Sequence, residues 1–335
     1  MEDIPLPIHN TDNQNVEKER YIFWGTVLTH IFIINPDCAH SRLTDDLRER
    51  LSRISGLNYY VFTTRYAGYE TEIVRKVLHF FRGEKLRFYC CGGSGTMRNM
   101  LCGFDDLSGA EVAFYPCGMT NDFLKMFGSD AKRFEDIEEL INGDVIKVDY
   151  IRSNFGIALN TISFGLDSET ELLMEDYRFL RIFSESFPYS AAIVHAIFFS
   201  KQQSYDIEAD GQLISGIATE TVFGNGNILG GSLHFTEHSS VSDGKGGFMI
   251  APGLRLGGKI KMFTALIKNR REYINKICSC GEFQKFSIRR TDGSEFMMNF
   301  DGELRSCAGR LEAKIVHKGL KFVVPKGVTG GDGNE

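Results

Sequence analysis

Three short stretches of the chain carry residue types suited to handling a phosphate group. The first is Cys91-Gly92-Gly93-Ser94-Gly95-Thr96, which stands between an apolar run and a helical pattern. Glycines there let backbone N–H groups approach a phosphate without a Cβ in the way, and a helix N-terminus adds favourable partial charge. The same glycines would equally serve a tight strand-to-helix turn with no ligand. No Lys follows the last Gly, so this is not a P-loop, and the spacing is not that of the dinucleotide fingerprint. The second stretch is Tyr115-Pro116-Cys117-Gly118-Met119-Thr120-Asn121-Asp122-Phe123. Here Asn121 can donate and accept, while Asp122 can hold a cation or cap the following helix. The third, Asp301-Gly302-Glu303, offers two carboxylates in a setting that also reads as a hairpin turn. With the Asn35-Pro36 loop added, a phosphate site explains the set better than it explains any one member.

The elements that must position these residues follow from hydrophobic periodicity. His30–Ile34, Tyr59–Thr63, Leu86–Cys91 and Val112–Tyr115 are short apolar runs that read as buried strands. Between them, Glu70–Phe81 places Ile73, Val74, Val77, Leu78 and Phe81 on one helical face, closed by Gly83. Strand, helix, strand at this spacing predicts a parallel sheet with ligands at its carboxyl edge. After Asp144 the pattern changes. Val145–Ile151, Phe155–Phe164, Tyr205–Ala209, Leu213–Phe223, Phe286–Arg290 and Phe296–Phe300 read as strands of a mostly antiparallel domain, with helices over Ser168–Ile182 and Thr264–Ile277. Asp210-Gly211 and Asp292-Gly293 are tight-turn dipeptides. Leu311–Pro325 could return to the first domain.

The order Asn-Pro loop, GGxGT loop, PxGxxND loop and late Asp-Gly-Glu resembles the diacylglycerol kinase catalytic family, which includes sphingosine-kinase-like and bacterial lipid kinases. Thr64, Ser163–Asp167, Gly224–Gly231 and Ser242-Asp243-Gly244 match further, so the resemblance spans roughly Tyr21 to Gly327. It implies an α/β nucleotide-binding domain of the NAD kinase/diacylglycerol kinase type over 21–144, completed by 317–327. An antiparallel β-sandwich domain over 145–316 would follow, with the active site in the cleft between the two. It also implies ATP with Mg2+ and transfer to the hydroxyl of diacylglycerol or a related lipid, reached by peripheral contact from the cytoplasm; a homodimer is an open expectation. ATP contacts would fall on Asn35, Pro36, Asp37, Cys38, Ala39, Thr64, Gly92, Gly93, Ser94, Gly95, Thr96, Met119, Asn121 and Asp122. Asp301 and Glu303 would activate the lipid hydroxyl, and Asp243 would occupy a divalent-cation position.

The chain departs from the family pattern at the chemistry. Ser94 replaces the acidic residue of GGDGT, Asn99 stands where Glu is usual, Met119 replaces a phosphate-contacting Thr, and Asp37-Cys38-Ala39 replaces a Ser-Gly end. Loss of one positioned electrostatic or acid/base group costs about 10²–10⁴ in rate. Two readings therefore stand beside an active lipid kinase: a pseudokinase that binds lipid or a partner without turnover, and, ranked lower, an NAD kinase. Composition bounds the rest. The 335 residues are 42% hydrophobic with 27 Phe, enough for two cores. A net charge of -6 without a Lys/Arg cluster argues against nucleic acid. Met1–Arg20 is acidic and aperiodic and reads as a mobile tail. The longest apolar helix candidate, Ser190–Ser200, is too short to span a bilayer. The stretch Tyr177–Phe199, with Arg178 and Arg181, is a candidate lipid-facing surface or else core. Eight cysteines without a CxxC pair read as reduced thiols.

Overall fold

The computed structural model describes residues 8–9, 28–38, 43–44, 46–184, 187–238 and 240–330. The chain folds into two compact units. The first comprises 1–118, 132–147 and 320–329; the second comprises 119–131, 148–319 and 330–335. Of the stretch expected to be a tail, Ile8–His9 is described, as a short strand; the rest of 1–20 lies outside the described residues.

In the first unit β1 (Ile8–His9), β2 (Leu28–Ile34), β3 (Tyr59–Thr63), β4 (Lys85–Gly92) and β5 (Glu111–Pro116) lie in the order β1-β3-β2-β4-β5. All neighbours run parallel except β1. Residues 321–323 of the chain's last strand, Arg310–Val324, add a further parallel neighbour beside β5. The runs Ile31–Ile34, Phe88–Cys91 and Val112–Tyr115 are buried without alternation, as a sheet covered on both faces requires. Helices α1 (Leu47–Ser52), α2 (Tyr69–Phe80), α3 (Ser94–Leu101) and α4 (Ile137–Ile141) supply the cover. Arg87 closes the C-terminus of α4, donating to the carbonyls of Leu140 at 3.1 Å and Ile141 at 3.0 Å while pairing with Glu111 at 2.7 Å. The strand order reverses between β2 and β4. That switch point is where the Asn35-Pro36 and Gly92–Thr96 loops emerge.

The second unit is antiparallel. Its strands are β6 (Asp144–Ser153, from 148 on), β7 (Gly156–Ala158), β8 (Thr161–Gly165), β9 (Gln203–Ala209), β10 (Gln212–Gly224), β11 (Ile228–Leu229), β12 (Leu233–His234), β13 (Gly246–Pro252), β14 (Ser279–Phe283), β15 (Lys285–Arg290), β16 (Phe296–Phe300), β17 (Glu303–Cys307) and β18 (Arg310–Val324, up to 319). The first half of β10 pairs with β9; after a bulge at Ala218/Glu220 its second half pairs with both β8 and β13. Alternation then sorts two cores. Phe223, Phe248 and Ile250 face one that also holds Phe283 and Phe286, while Val222, Met249 and Ala251 face helices α6 (Phe187–Phe199) and α7 (Leu256–Ile267).

Three expected elements are divided. Phe155–Phe164 becomes β7 and β8, because the amides of Leu159, Asn160 and Thr161 turn to the Asp301 carboxylate instead of a strand partner. Ser168–Ile182 becomes α5 (Leu166–Met174) and a 3-10 turn, Arg178–Ile182. Thr264–Ile277 becomes the end of α7 and α8 (Arg271–Ile277), broken where Asn269 takes a left-handed φ of 48°.

Candidate functional site

The phosphate-type loop is built by the carboxyl ends of β2, β3, β4 and β5. Asn35 N–H donates to the Cys91 carbonyl at 2.9 Å and Thr64 N–H to the Ile34 carbonyl at 2.8 Å. The Asn35 amide then donates to Thr96 Oγ1 at 3.0 Å, locking the Asn35-Pro36 loop onto the Gly92–Thr96 loop. Cys117 N–H donates to the Gly92 carbonyl at 2.8 Å and brings in the end of β5. Asn35, Pro36, Asp37, Cys38, Thr64 and Gly92–Thr96 therefore share one edge of the first unit's sheet, whereas Ala39 lies outside the described residues.

Each glycine in the loop has a different environment. A Cβ on Gly92 would sit 2.6 Å from three side-chain atoms of Thr96, and one on Gly93 would sit 3.2 Å from the Gly118 Cα. A Cβ on Gly95 would meet nothing within 4 Å. Gly92 is thus demanded by the protein's own packing, Gly93 is tightly approached, and among the described residues Gly95 opens onto free space at the first turn of α3. Ser94 heads that turn, which contains no acidic residue. Asn99 is fixed rather than exposed to a ligand: its carbonyl accepts from Thr71 Oγ1 at 2.6 Å and its side chain accepts from Arg98 at 3.1 Å. The thiols below the loop carry no charge. Its hydrogen bond with Cys38, and then burial, push the Cys117 thiol far up, and burial does the same to Cys91.

The second unit holds the carboxylates. Asp122, buried at the head of a 3-10 stretch running to Glu135, accepts from Gly231 N–H at 3.0 Å and from Lys125 Nζ at 2.8 Å. Burial raises its pKa despite that cation. Asn121 precedes it with a left-handed φ of 45°, and Met119 is exposed. Asp301 and Gly302 form the turn between β16 and β17 with φ values of 50° and 86°, the pairing expected of a type I′ hairpin. The Asp301 carboxylate is buried and accepts from the amides of Leu159 at 2.6 Å, Asn160 at 3.0 Å and Thr161 at 2.7 Å. Glu303, first in β17, is partly exposed and bonds Arg305 at 3.1 Å. Asp243 is exposed, accepts from Lys245 N–H at 3.0 Å, and has His238 at 3.8 Å. Among the described residues, no group of three or more His, Cys, Asp or Glu is arranged to hold a metal ion.

Behind the Asp301 turn lies a network that the sequence motifs only partly flag. Asp167 accepts from Ser163 Oγ at 2.5 Å and Asn299 Nδ2 at 2.8 Å, and Asn299 Oδ1 accepts from Gly302 N–H at 2.7 Å. Glu220 accepts from Asp167 N–H at 2.8 Å. Burial is the leading cause of raised pKa at Asp167 and Glu220, and it lifts Glu171 to about 7 with Asp167 adding to the effect. Carboxylates biased this way mark functional regions more often than chance. Lys125 carried no signal beyond standing three residues after Asp122. Asn299 was legible only as part of Asn-Phe-Asp-Gly-Glu.

Residues 29–153 match the model of the diacylglycerol kinase catalytic domain. A "Putative lipid kinase" of Staphylococcus carnosus (strain TM300) is 28% identical over 160 residues, covering 47% of this chain and 51% of that protein. "Putative lipid kinase YtlR" of Bacillus subtilis (strain 168) is 28% identical over 112 residues, covering 32% and 35%. The chain thus spans about half the length, or less, of these curated relatives. The crystal structure of a "putative diacylglycerol kinase" from Bacillus anthracis str. Sterne superposes with a TM-score of 0.68 at 18% identity, covering 90% of this chain and 96% of that one. A second structure from that organism, of a diacylglycerol kinase, gives 0.62 at 17% identity over 90% and 98%. The fold is theirs: a parallel α/β unit followed by an antiparallel β unit.

Proposed function

We propose that the protein is an ATP-dependent lipid kinase that phosphorylates the hydroxyl of diacylglycerol or a related lipid, with turnover lowered by Ser94. The observation that carries this reading is Gly95. It lies in the first turn of α3, where helix propensity disfavours Gly, and among the described residues no atom occupies the space its missing Cβ leaves. A close-approaching ligand accounts for it, and phosphate at a helix N-terminus is the ligand such a turn suits.

On this reading the amides of Gly93–Thr96 hold the phosphates, Asn35 and Thr96 keep the two loops in register, and Thr64 lines the adjoining strand end. Magnesium bound with the nucleotide would neutralise charge developing on the transferred phosphoryl group. Phosphate oxygens would supply most of its ligands, with Asp122 the carboxylate that the Pro116–Asp122 motif would add. Glu303 accepts the proton of the lipid hydroxyl as the hydroxyl oxygen bonds the γ-phosphorus and the bond from that phosphorus to the β,γ-bridging oxygen breaks, releasing ADP. Asp301, whose oxygens already accept three amides, positions Glu303 by fixing the turn before it. A hydroxyl at position 94 can orient a metal-bound oxygen but cannot act as a base near neutral pH.

The test is transfer of label from ATP, with Mg2+, to micelles containing diacylglycerol, sphingosine or ceramide. Ser94→Asp should raise the rate by about 10²-fold or more, and Glu303→Gln should lower it comparably. The pseudokinase reading has one specific support, the missing carboxylate in the first turn of α3. It prevails if the natural protein labels no lipid while Ser94→Asp does. Labelled NADP in the same assay would move the substrate to NAD.

A further inference from the structure

We propose that helices α6 and α7 of the second unit form a docking face for an anionic phospholipid bilayer. Each helix has two apolar stripes. The inner ones, Ile193, Ala196 and Ile197 on α6 and Met262, Ala265 and Leu266 on α7, share one core. The outer ones have no cover among the described residues: Val194, Phe198 and Phe199 on α6, and Leu256, Ile260 and Ile267 on α7, are exposed, Phe199 to 72%. Positions 194 and 198, and 256, 260 and 267, recur at the spacing that keeps side chains on one helical face. Lys259 Nζ donates to Ser200 Oγ at 2.8 Å, tying the start of α7 to the end of α6. The preceding 3-10 turn extends the apolar surface with Ile182, exposed to 81%, and is held to α6 by the 2.7 Å bond between the Tyr177 hydroxyl and His195.

An apolar area of this extent on a folded protein marks an interaction surface, and its charge selects the partner. α6 contains no charged residue, and 251–271 contains six cationic residues and no Asp or Glu. Of these, Arg255, Lys261, Lys268 and Arg270 are exposed, while Lys259 is used internally; Lys201 is exposed just past α6. Arg178, at the other border, is already paired with Glu175 at 2.9 Å. An aromatic and aliphatic face rimmed by Lys and Arg is the composition that lies in the headgroup layer of an anionic bilayer. No helix among the described residues is long and apolar enough to cross one. The proposal extends the lipid-substrate reading above, but its assay uses no ATP, so a failed docking experiment and a failed kinase assay are told apart.

The experiment is co-sedimentation of the full chain with phosphatidylcholine vesicles, with and without phosphatidylglycerol. The natural protein should pellet with the anionic vesicles and weakly or not at all with the neutral ones, and added salt should weaken the binding. Phe198→Ser with Phe199→Ser, and separately Lys261→Glu with Lys268→Glu, should each reduce partitioning about tenfold or more. Both pairs replace exposed side chains, and an unchanged thermal transition confirms that the fold persists. Glu303→Gln should bind vesicles as the natural protein does. Docking is refuted if the natural protein stays in the supernatant with anionic vesicles, or if both double variants pellet unchanged. It is also refuted if the Phe pair only dissolves a dimer seen by sedimentation equilibrium, which would assign the face to a second copy of the chain.

Discussion

Replacing Gly95 by Ala separates a glycine kept for a ligand from one kept for the fold. Its backbone is helical, and an added methyl meets no atom within 4 Å. Ala should therefore stabilise the free protein by about 0.5–1 kcal/mol through helix propensity and the unfolded-state entropy of Gly. For a chain of this length that corresponds to a rise of about 1 °C in the melting temperature. The same methyl occupies the surface a phosphate would use. Loss of one charge-assisted amide-to-phosphate bond, about 1.5–3 kcal/mol, predicts ATP affinity lower by roughly 10- to 100-fold. Gly92→Ala is the contrasting control. Its Cβ would overlap Thr96 at 2.6 Å, so about 1–3 kcal/mol of stability should go together with binding. Calorimetric titration with ATP and thermal melts on both variants decide the matter. If Gly95→Ala binds ATP as the natural protein does, or melts as early as Gly92→Ala, the loop is a turn and the phosphate argument fails.

Asp301→Asn keeps a side chain tolerant of the left-handed φ of 50° but turns one acceptor oxygen into a donor facing amides. It should cost about 2–4 kcal/mol in urea denaturation, and an unchanged midpoint would show that the carboxylate is free for other work. Glu171, lifted to about 7 chiefly by burial, holds its proton more tightly folded than unfolded, so its contribution to stability is greatest at low pH. That contribution is lost as pH rises from about 4.5 to 7. Discounted for partial exposure, Glu171→Gln should recover about 1–2 kcal/mol at pH 7.5 and little at pH 4.5; a gain equal at both pH values would contradict the assignment.

The parallel strands were legible because burial on both faces leaves uninterrupted apolar runs: Tyr59–Thr63 agrees with the sequence expectation to the residue, as does the antiparallel Phe296–Phe300. The loops followed from glycine and asparagine at strand ends. Less visible was anything decided by distant partners. Phe155–Phe164 reads as one strand until a carboxylate more than a hundred residues away takes three of its amides. α6 fell within Tyr177–Phe199, a stretch read as either lipid-facing surface or core, because its Phe, Ala and Ile carry no periodicity that tells a buried face from a bare one. Asp301 was chosen for its motif, and its bonding to three amides is a property of packing that no local pattern announces.

The last strand has a consequence for how the protein is made. Residues 321–323 align with Glu111, Val112 and Ala113 of β5, about two hundred positions earlier. A nascent chain leaving the ribosome therefore carries β5 with an open, apolar edge throughout synthesis of the second unit. Strand pairing that waits so long is slow and exposed to aggregation. The stretch 29–153 expressed alone would keep that edge bare, so it should aggregate more readily than the full chain.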